Sequence, residues 1–177
     1  LLGRVEYLEE YLNKIIYEIE DNVFVSPSGN LILINSSKIF SSLTFLKNEI
    51  EEWYKISIDT NKMRVSIVHN NLELDHYIKN EKEYLISWDN YIIDSPILDI
   101  VKLYKNVYLT MDFSNPLKVY IEKFPLNENE KKLLFIMLVM PDEINLTNNE
   151  LKNISIVRKY LDYIYKTENL IRPYYSK

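Results

Sequence analysis

The chain has 177 residues, which suits one domain with a sizeable core, and 47% of them are hydrophobic, which excludes a wholly disordered chain. Its formal charge is −5 and its acidic and basic residues are interspersed, so it carries no basic footprint for nucleic acid. Cysteine is missing and histidine occurs only at His69 and His76, which excludes disulfides and thiolate metal sites and argues against a histidine-rich one.

Residues 4–20 place Val5, Leu8, Leu12, Ile15, Ile16 and Ile19 at helical spacing and predict an amphipathic helix. Val23-Phe24-Val25 and Leu31-Ile32-Leu33-Ile34 flank Ser26-Pro27-Ser28-Gly29-Asn30, which predicts a β-hairpin with Gly29 supplying the positive φ of its turn. Ser36 or Ser37 is the expected N-cap of a second helix through Phe40, Leu43, Leu46, Ile50 and Trp53. Asn61 and Lys62 lead into a strand at 64–68, and Tyr77-Ile78 with Tyr84-Leu85-Ile86 predicts a second hairpin.

From Pro96 the pattern is helical. Ser95-Pro96 resembles a cap with proline at the first helical position, and Ser114 is placed to cap a helix through Leu117, Tyr120, Ile121 and Phe124. Asn127 with Glu130, and Thr147 with Glu150, have the spacing of capping boxes. The second would open a long helix with Leu151, Ile154, Val157, Leu161 and Ile164 on one face. Leu133–Met140 is the longest apolar run and is read as a buried helix, far short of the roughly 18 apolar residues of a membrane span. With no secretory signal pattern at its start, the chain is expected in the cytoplasm, without a membrane partner. It begins at Leu1 rather than Met, the expectation being a piece of a longer protein.

The segment Val68-His69-Asn70-Asn71-Leu72-Glu73-Leu74-Asp75-His76, followed by Ile86-Ser87-Trp88-Asp89 and by Asp94-Ser95-Pro96-Ile97-Leu98-Asp99-Ile100, carries the functional signal. It resembles the His-x-Asp-x-x-x-x-Asn loop, the Ile-Asp-Trp-Asp/Glu metal segment and the Asp-x-Pro-x-x-Asp-Leu continuation of aminoglycoside phosphotransferases, choline kinases and spore-coat-associated kinase-like proteins. The resemblance is close over 62–104 and looser in the later helices. It implies an α+β, mostly helical fold, a protein-kinase-like C-terminal lobe with two short β-hairpins. The whole of 1–177 is then one domain, with helices and a hairpin over 1–60, degenerate catalytic and metal loops over 61–100, and a helical subdomain over 101–177. The N-terminal nucleotide lobe is not in this chain: its only glycines are Gly3 and Gly29, so no phosphate-cradling glycine loop is present.

The same resemblance shows what chemistry is missing. Phosphoryl transfer uses an aspartate to orient or accept the proton of the attacking hydroxyl, and oxygen ligands to hold Mg²⁺. By correspondence Asn71 stands at the base position, His76 at the metal-binding asparagine and Ser87 at the main metal-binding aspartate. An amide accepts no proton at neutral pH, imidazole is a poor Mg²⁺ ligand, and a hydroxyl brings no charge. Asp75 and Asp89 are the carboxylates that would have to rescue a metal. His69 is read as an inward-facing brace, Asp99 as a scaffold acceptor for the loop, Trp88 as core, and the C-terminal tyrosines as amphipathic helix rims. Leu72, Leu74 and Tyr77 are candidates to fill the cleft.

These readings lead to a catalytically inactive phosphotransferase-like protein, a pseudokinase, acting as a binding or scaffold module for a protein partner, with neither catalytic residues nor metal nor cofactor expected. The alternatives are a small-molecule phosphotransferase using Mg-ATP through rearranged ligands, and a nucleotide or metabolite binder without turnover.

Overall fold

The computed structural model describes residues 1–58 and 64–175; Asn61 and Lys62, expected to lead into a strand, lie outside them. The protein is α+β and mostly helical. Its helices are α1 (Leu2–Glu20), α2 (Pro27–Ile58), α3 (Ile97–Val107), α4 (Ser114–Lys123), α5 (Glu128–Val139) and α6 (Glu150–Tyr175). Its strands are β1 (Ser66–Val68), β2 (Tyr77–Lys79), β3 (Glu83–Leu85) and β4 (Ile92–Asp94). They form two antiparallel pairs: β2 with β3 as a hairpin, and β1 with β4 across the intervening loops, with Ile67 opposite Ile93.

The chain divides into two compact units, Leu1–Glu52 with Val139–Lys177, and Trp53–Leu138. In the first, α1 buries Val5, Leu8, Leu12, Ile15 and Ile19, while Ile16 of the expected stripe is only half-buried, and α2 buries Ile32, Ile39, Leu43 and Leu46. Each such aliphatic side chain contributes about 1.5–3 kcal/mol when withdrawn from water. Glu9 in the first half of α1 bonds Lys47, and Ile19 at its C-terminal end meets Gly29, so α1 and α2 run antiparallel. Contacts of Ser28 with Glu150 and of Glu49 with Tyr175 show that α2 and α6 run parallel.

The hairpin expected over 23–34 is a helix instead. Ser26 is an N-cap: its Oγ accepts the Gly29 amide at 3.1 Å, and Pro27 occupies the first helical position, where its missing N–H costs nothing. Gly29 has no positive φ. It serves a close approach, since a Cβ there would lie 3.0 Å from Ile19 Cγ2. Ser36 and Ser37 are therefore interior to α2 and cap nothing; the Ser36 hydroxyl donates to the Leu33 carbonyl.

The capping box at Asn127 and Glu130 is formed, with both reciprocal amide bonds present at 2.9 and 2.8 Å. The box expected at Thr147 and Glu150 is not. Asn149 accepts the Lys152 amide, Thr147 bonds Asn153, and the Glu150 carboxylate reaches across to Ser28. The buried face of α6 is rotated accordingly: Leu151 is 80% exposed, while Asn153, Val157, Tyr160, Ile164, Thr167 and Ile171 face inward. Tyr160 and Tyr163 are buried rather than rim residues. Ser114 is the first residue of α4 rather than its cap, and the Asp112 carboxylate accepts its amide at 3.0 Å. Helix α3 begins one residue after Pro96.

Candidate functional site

The loop between β1 and β2 is held by α3. Asp99, in the first turn of that helix, accepts the His69 amide through Oδ2 and the Asn70 amide through Oδ1, both at 2.9 Å. Two turns further along the helix, Asn106 donates to the Leu72 carbonyl at 3.1 Å. Residues seven apart share a helix face, so α3 grips the loop at both ends of 69–72. Asn106 carried no motif signal; its spacing from Asp99 was the available clue.

His69 is fully buried. Its Nε2 lies 2.7 Å from the Ile86 carbonyl, which can only accept, and its Nδ1 lies 3.3 Å from the Asn71 amide, which can only donate. Together the two contacts assign the neutral Nε2–H tautomer and use both ring nitrogens. His69 thereby joins the loop to the segment containing Ser87. The Ile86 amide donates to the His76 carbonyl at 3.0 Å and Asn70 Nδ2 to the Asn90 carbonyl at 3.3 Å, which strengthens that junction. Asn71, His76 and Ser87 are thus brought into one region by backbone bonds. His76 is half-buried and its Nδ1–H donates to the Asn71 carbonyl at 2.9 Å.

Asn70 and Ser87 are the non-glycine residues with positive φ among the described residues, at 59° and 65°. Asparagine tolerates this left-handed region, whereas serine is held there at a cost of about 1 kcal/mol or more. Trp88 follows Ser87 and is 40% exposed, not core as expected. Its indole N–H donates to the Leu85 carbonyl at 2.8 Å, and its ring centre lies 4.9 Å from that of His69. Leu72 is half-buried and Leu74 and Tyr77 are exposed. Burial pushes the Tyr120 hydroxyl up to about 12, opposed by Arg64 and reinforced by Asp99 and Glu130, so it stays protonated at neutral pH.

Asp75 is exposed and lies with Glu73 and His76 so that one ligand atom from each falls within 4.8 Å of the others. These residues could hold a divalent cation. Glu73 was not singled out in the sequence, although it shares a two-residue spacing with Asp75. Asp89, on the short 3₁₀ turn Trp88–Asn90, is exposed and does not belong to this group.

The sheet formed by β1 and β4 exposes one apolar face. Val65 and Ile67 alternate along one edge of it and Tyr91 and Ile93 along the other, with Ile67 62% and Ile93 73% exposed. Val68 on the opposite face is buried. Among the described residues no helix is long and apolar enough to cross a membrane. No family model matches the chain, and neither a curated protein nor a solved structure matches it.

Proposed function

We propose that the chain is a kinase-like lobe without phosphotransfer chemistry that works as a binding or scaffold module for a protein partner. The observation that carries this reading is the contrast within one loop. Asp99 fixes the His69 and Asn70 amides, yet the neighbouring positions that would take a proton or a metal are Asn71, His76 and Ser87. Neither an amide nor a hydroxyl can replace a carboxylate in orienting a nucleophile or neutralising Mg-ATP. His69 offers no substitute base, because both of its nitrogens are engaged in bracing the loop. The apolar face of Val65, Ile67, Tyr91 and Ile93 suits a protein partner, since contiguous exposed apolar surface marks interaction sites.

A second reading, phosphotransfer or nucleotide binding with rearranged metal ligands, rests on the grouping of Glu73, Asp75 and His76. It would need a nucleotide-binding lobe from elsewhere. Thermal unfolding with and without Mg-ATP separates the two. A ligand at 100 times its Kd raises stability by about 2.7 kcal/mol, so a binder at micromolar affinity shifts the transition clearly at millimolar nucleotide. The scaffold reading expects no magnesium-dependent shift and no transfer of phosphate to hydroxyl acceptors. A magnesium-dependent shift removed by Asp75→Ala would overturn it in favour of the second.

A further inference from the structure

The first unit contains a cavity of about 310 Å³ along the facing surfaces of α2 and α6, at the small end of the roughly 300–1,000 Å³ typical of small-molecule sites. Every lining residue belongs to the first unit, whereas the loop described above belongs to the second. The space has a cause in sequence. On α2 the lining residues Lys38, Ser41, Ser42 and Phe45 follow helical spacing, and the two middle ones are small. On α6, Ile164, Thr167, Glu168 and Ile171 face them at the same spacing. Serine is too short to fill the gap that a leucine would close between parallel helices.

The lining has two parts. Phe45, Val139, Ile164 and Ile171 give an apolar wall. Lys38, Glu168 and Arg172 bring charge, and both cations bond the same carboxylate: Lys38 Nζ on Oε2 and Arg172 on Oε1 at 3.1 Å. Lys38 therefore shares its carboxylate partner with a second cation. An ammonium has three donors, of which Glu168 takes one. Lys38 is exposed, so an incoming group reaches it without unfolding the helix pair.

We propose that this cavity binds an amphipathic organic anion, its acyl or aryl body along Phe45, Ile164 and Ile171 and its carboxylate on Lys38. The apolar wall selects the body and the exposed Lys38 ammonium selects the head. A neutral body of equal size gains the wall alone, and a cationic head meets Lys38 and Arg172 with the wrong sign.

Isothermal titration of the full chain with decanoate, decan-1-ol and decyltrimethylammonium, each kept below micelle formation, tests this. Decanoate is expected to bind at least tenfold more tightly than decanol, and the ammonium compound more weakly than either. Lys38→Met should bring decanoate to the level of decanol and leave decanol unchanged. Ser41→Phe, at an exposed position, should fill the cavity and abolish binding of both without disturbing the buried core. Equal affinity for all three probes, no binding of decanoate, or decanoate binding that survives both substitutions would each overturn the proposal.

Discussion

Asp99 accepts the amide of His69 at 2.9 Å from 30 positions away in sequence, and its second oxygen takes the amide of Asn70. Bonds to an ionised acceptor are stronger than neutral ones, and the amides they satisfy belong to a fully buried histidine and its half-buried neighbour. Asp99→Ala is expected to lower stability by about 2–4 kcal/mol, the cost of leaving both donors unsatisfied. Asp99→Asn keeps one acceptor oxygen and should cost less. Urea denaturation followed by circular dichroism measures both, and a loss below about 0.5 kcal/mol for the alanine variant, the scale of an ordinary surface change, would show that the bonds do not support the loop.

The helical half of this architecture was partly legible in the chain. The stripe Val5, Leu8, Leu12, Ile15 and Ile19 has one period and a buried face to match, and Asn127 with Glu130 forms the box its spacing announces. The misread positions share a cause: a local signal overridden by a distant partner. Leu31–Ile34 is short enough to suit strand or helix, and Pro27 with Gly29 looks like a turn until Ile19 is seen to pack closely against Gly29. Glu150 has the spacing of a local cap, but Ser28 takes its carboxylate. At the loop, the bracing by His69 and Asp99 was legible in sequence, whereas Asn106, Glu73 and the left-handed backbone at Ser87 depend on three-dimensional neighbours.

The contact between Ser28 and Glu150 caps one helix with the side chain of another. Glu150 Oε1 accepts the Ser28 amide at 2.6 Å and Oε2 the Ser28 hydroxyl at 2.9 Å, and the negative charge sits at the positive end of the α2 dipole. Glu150→Ala removes the acceptor for an amide in the first turn of α2, and about 1–2 kcal/mol should be lost, as for other N-terminal capping groups. Ser28→Ala loses the hydroxyl's contacts with Glu150 and with the Ser26 hydroxyl but keeps the amide bond to Glu150, and should cost less than Glu150→Ala. In the double variant the two losses should not add, because either substitution alone already removes the bond between the Ser28 hydroxyl and Glu150. Full additivity in a double-mutant cycle would refute the coupling.

Glu130 links acid sensitivity to the second unit. The hydrogen bond from Arg64 holds its carboxyl below the usual range; burial opposes that, and the Asn127 amide adds to it. A carboxylate with a depressed folded-state pKa contributes stability that is present above its unfolded value, about 4.3, and is lost as pH falls through the folded value. Glu130→Gln should therefore be less stable than the parent at pH 7, and the gap should narrow as pH drops from about 4.3 toward 3. Glu168 and Asp112 are depressed as well, so some acid dependence should persist in the variant. Denaturation at the two pH values measures the gap, and a gap that stays constant would rule out this role. Asn127→Ala, which breaks the other half of the box, should cost about 1 kcal/mol at either pH.

The sheet of β1 and β4 has one exposed apolar face and one buried face. Ile67 and Ile93 are opposite each other across the strands and both are largely exposed, while the buried contribution of the sheet comes from Val68 on the other face. Substituting Ile67→Glu and Ile93→Lys keeps the strand alternation and places opposite charges across the pair, an arrangement that sheets accept. The double variant should unfold within about 0.5 kcal/mol of the parent, as expected for surface positions away from caps and core. If the face docks a protein, the variant should lose that partner: a complex isolated with the parent chain should be absent or at least tenfold weaker with the variant, measured by interferometry on the purified pair. Val68→Ala is the complementary control, expected to cost about 1 kcal/mol or more through the space it opens in the core. A variant that keeps full affinity while Val68→Ala behaves as expected would move the partner site away from this sheet.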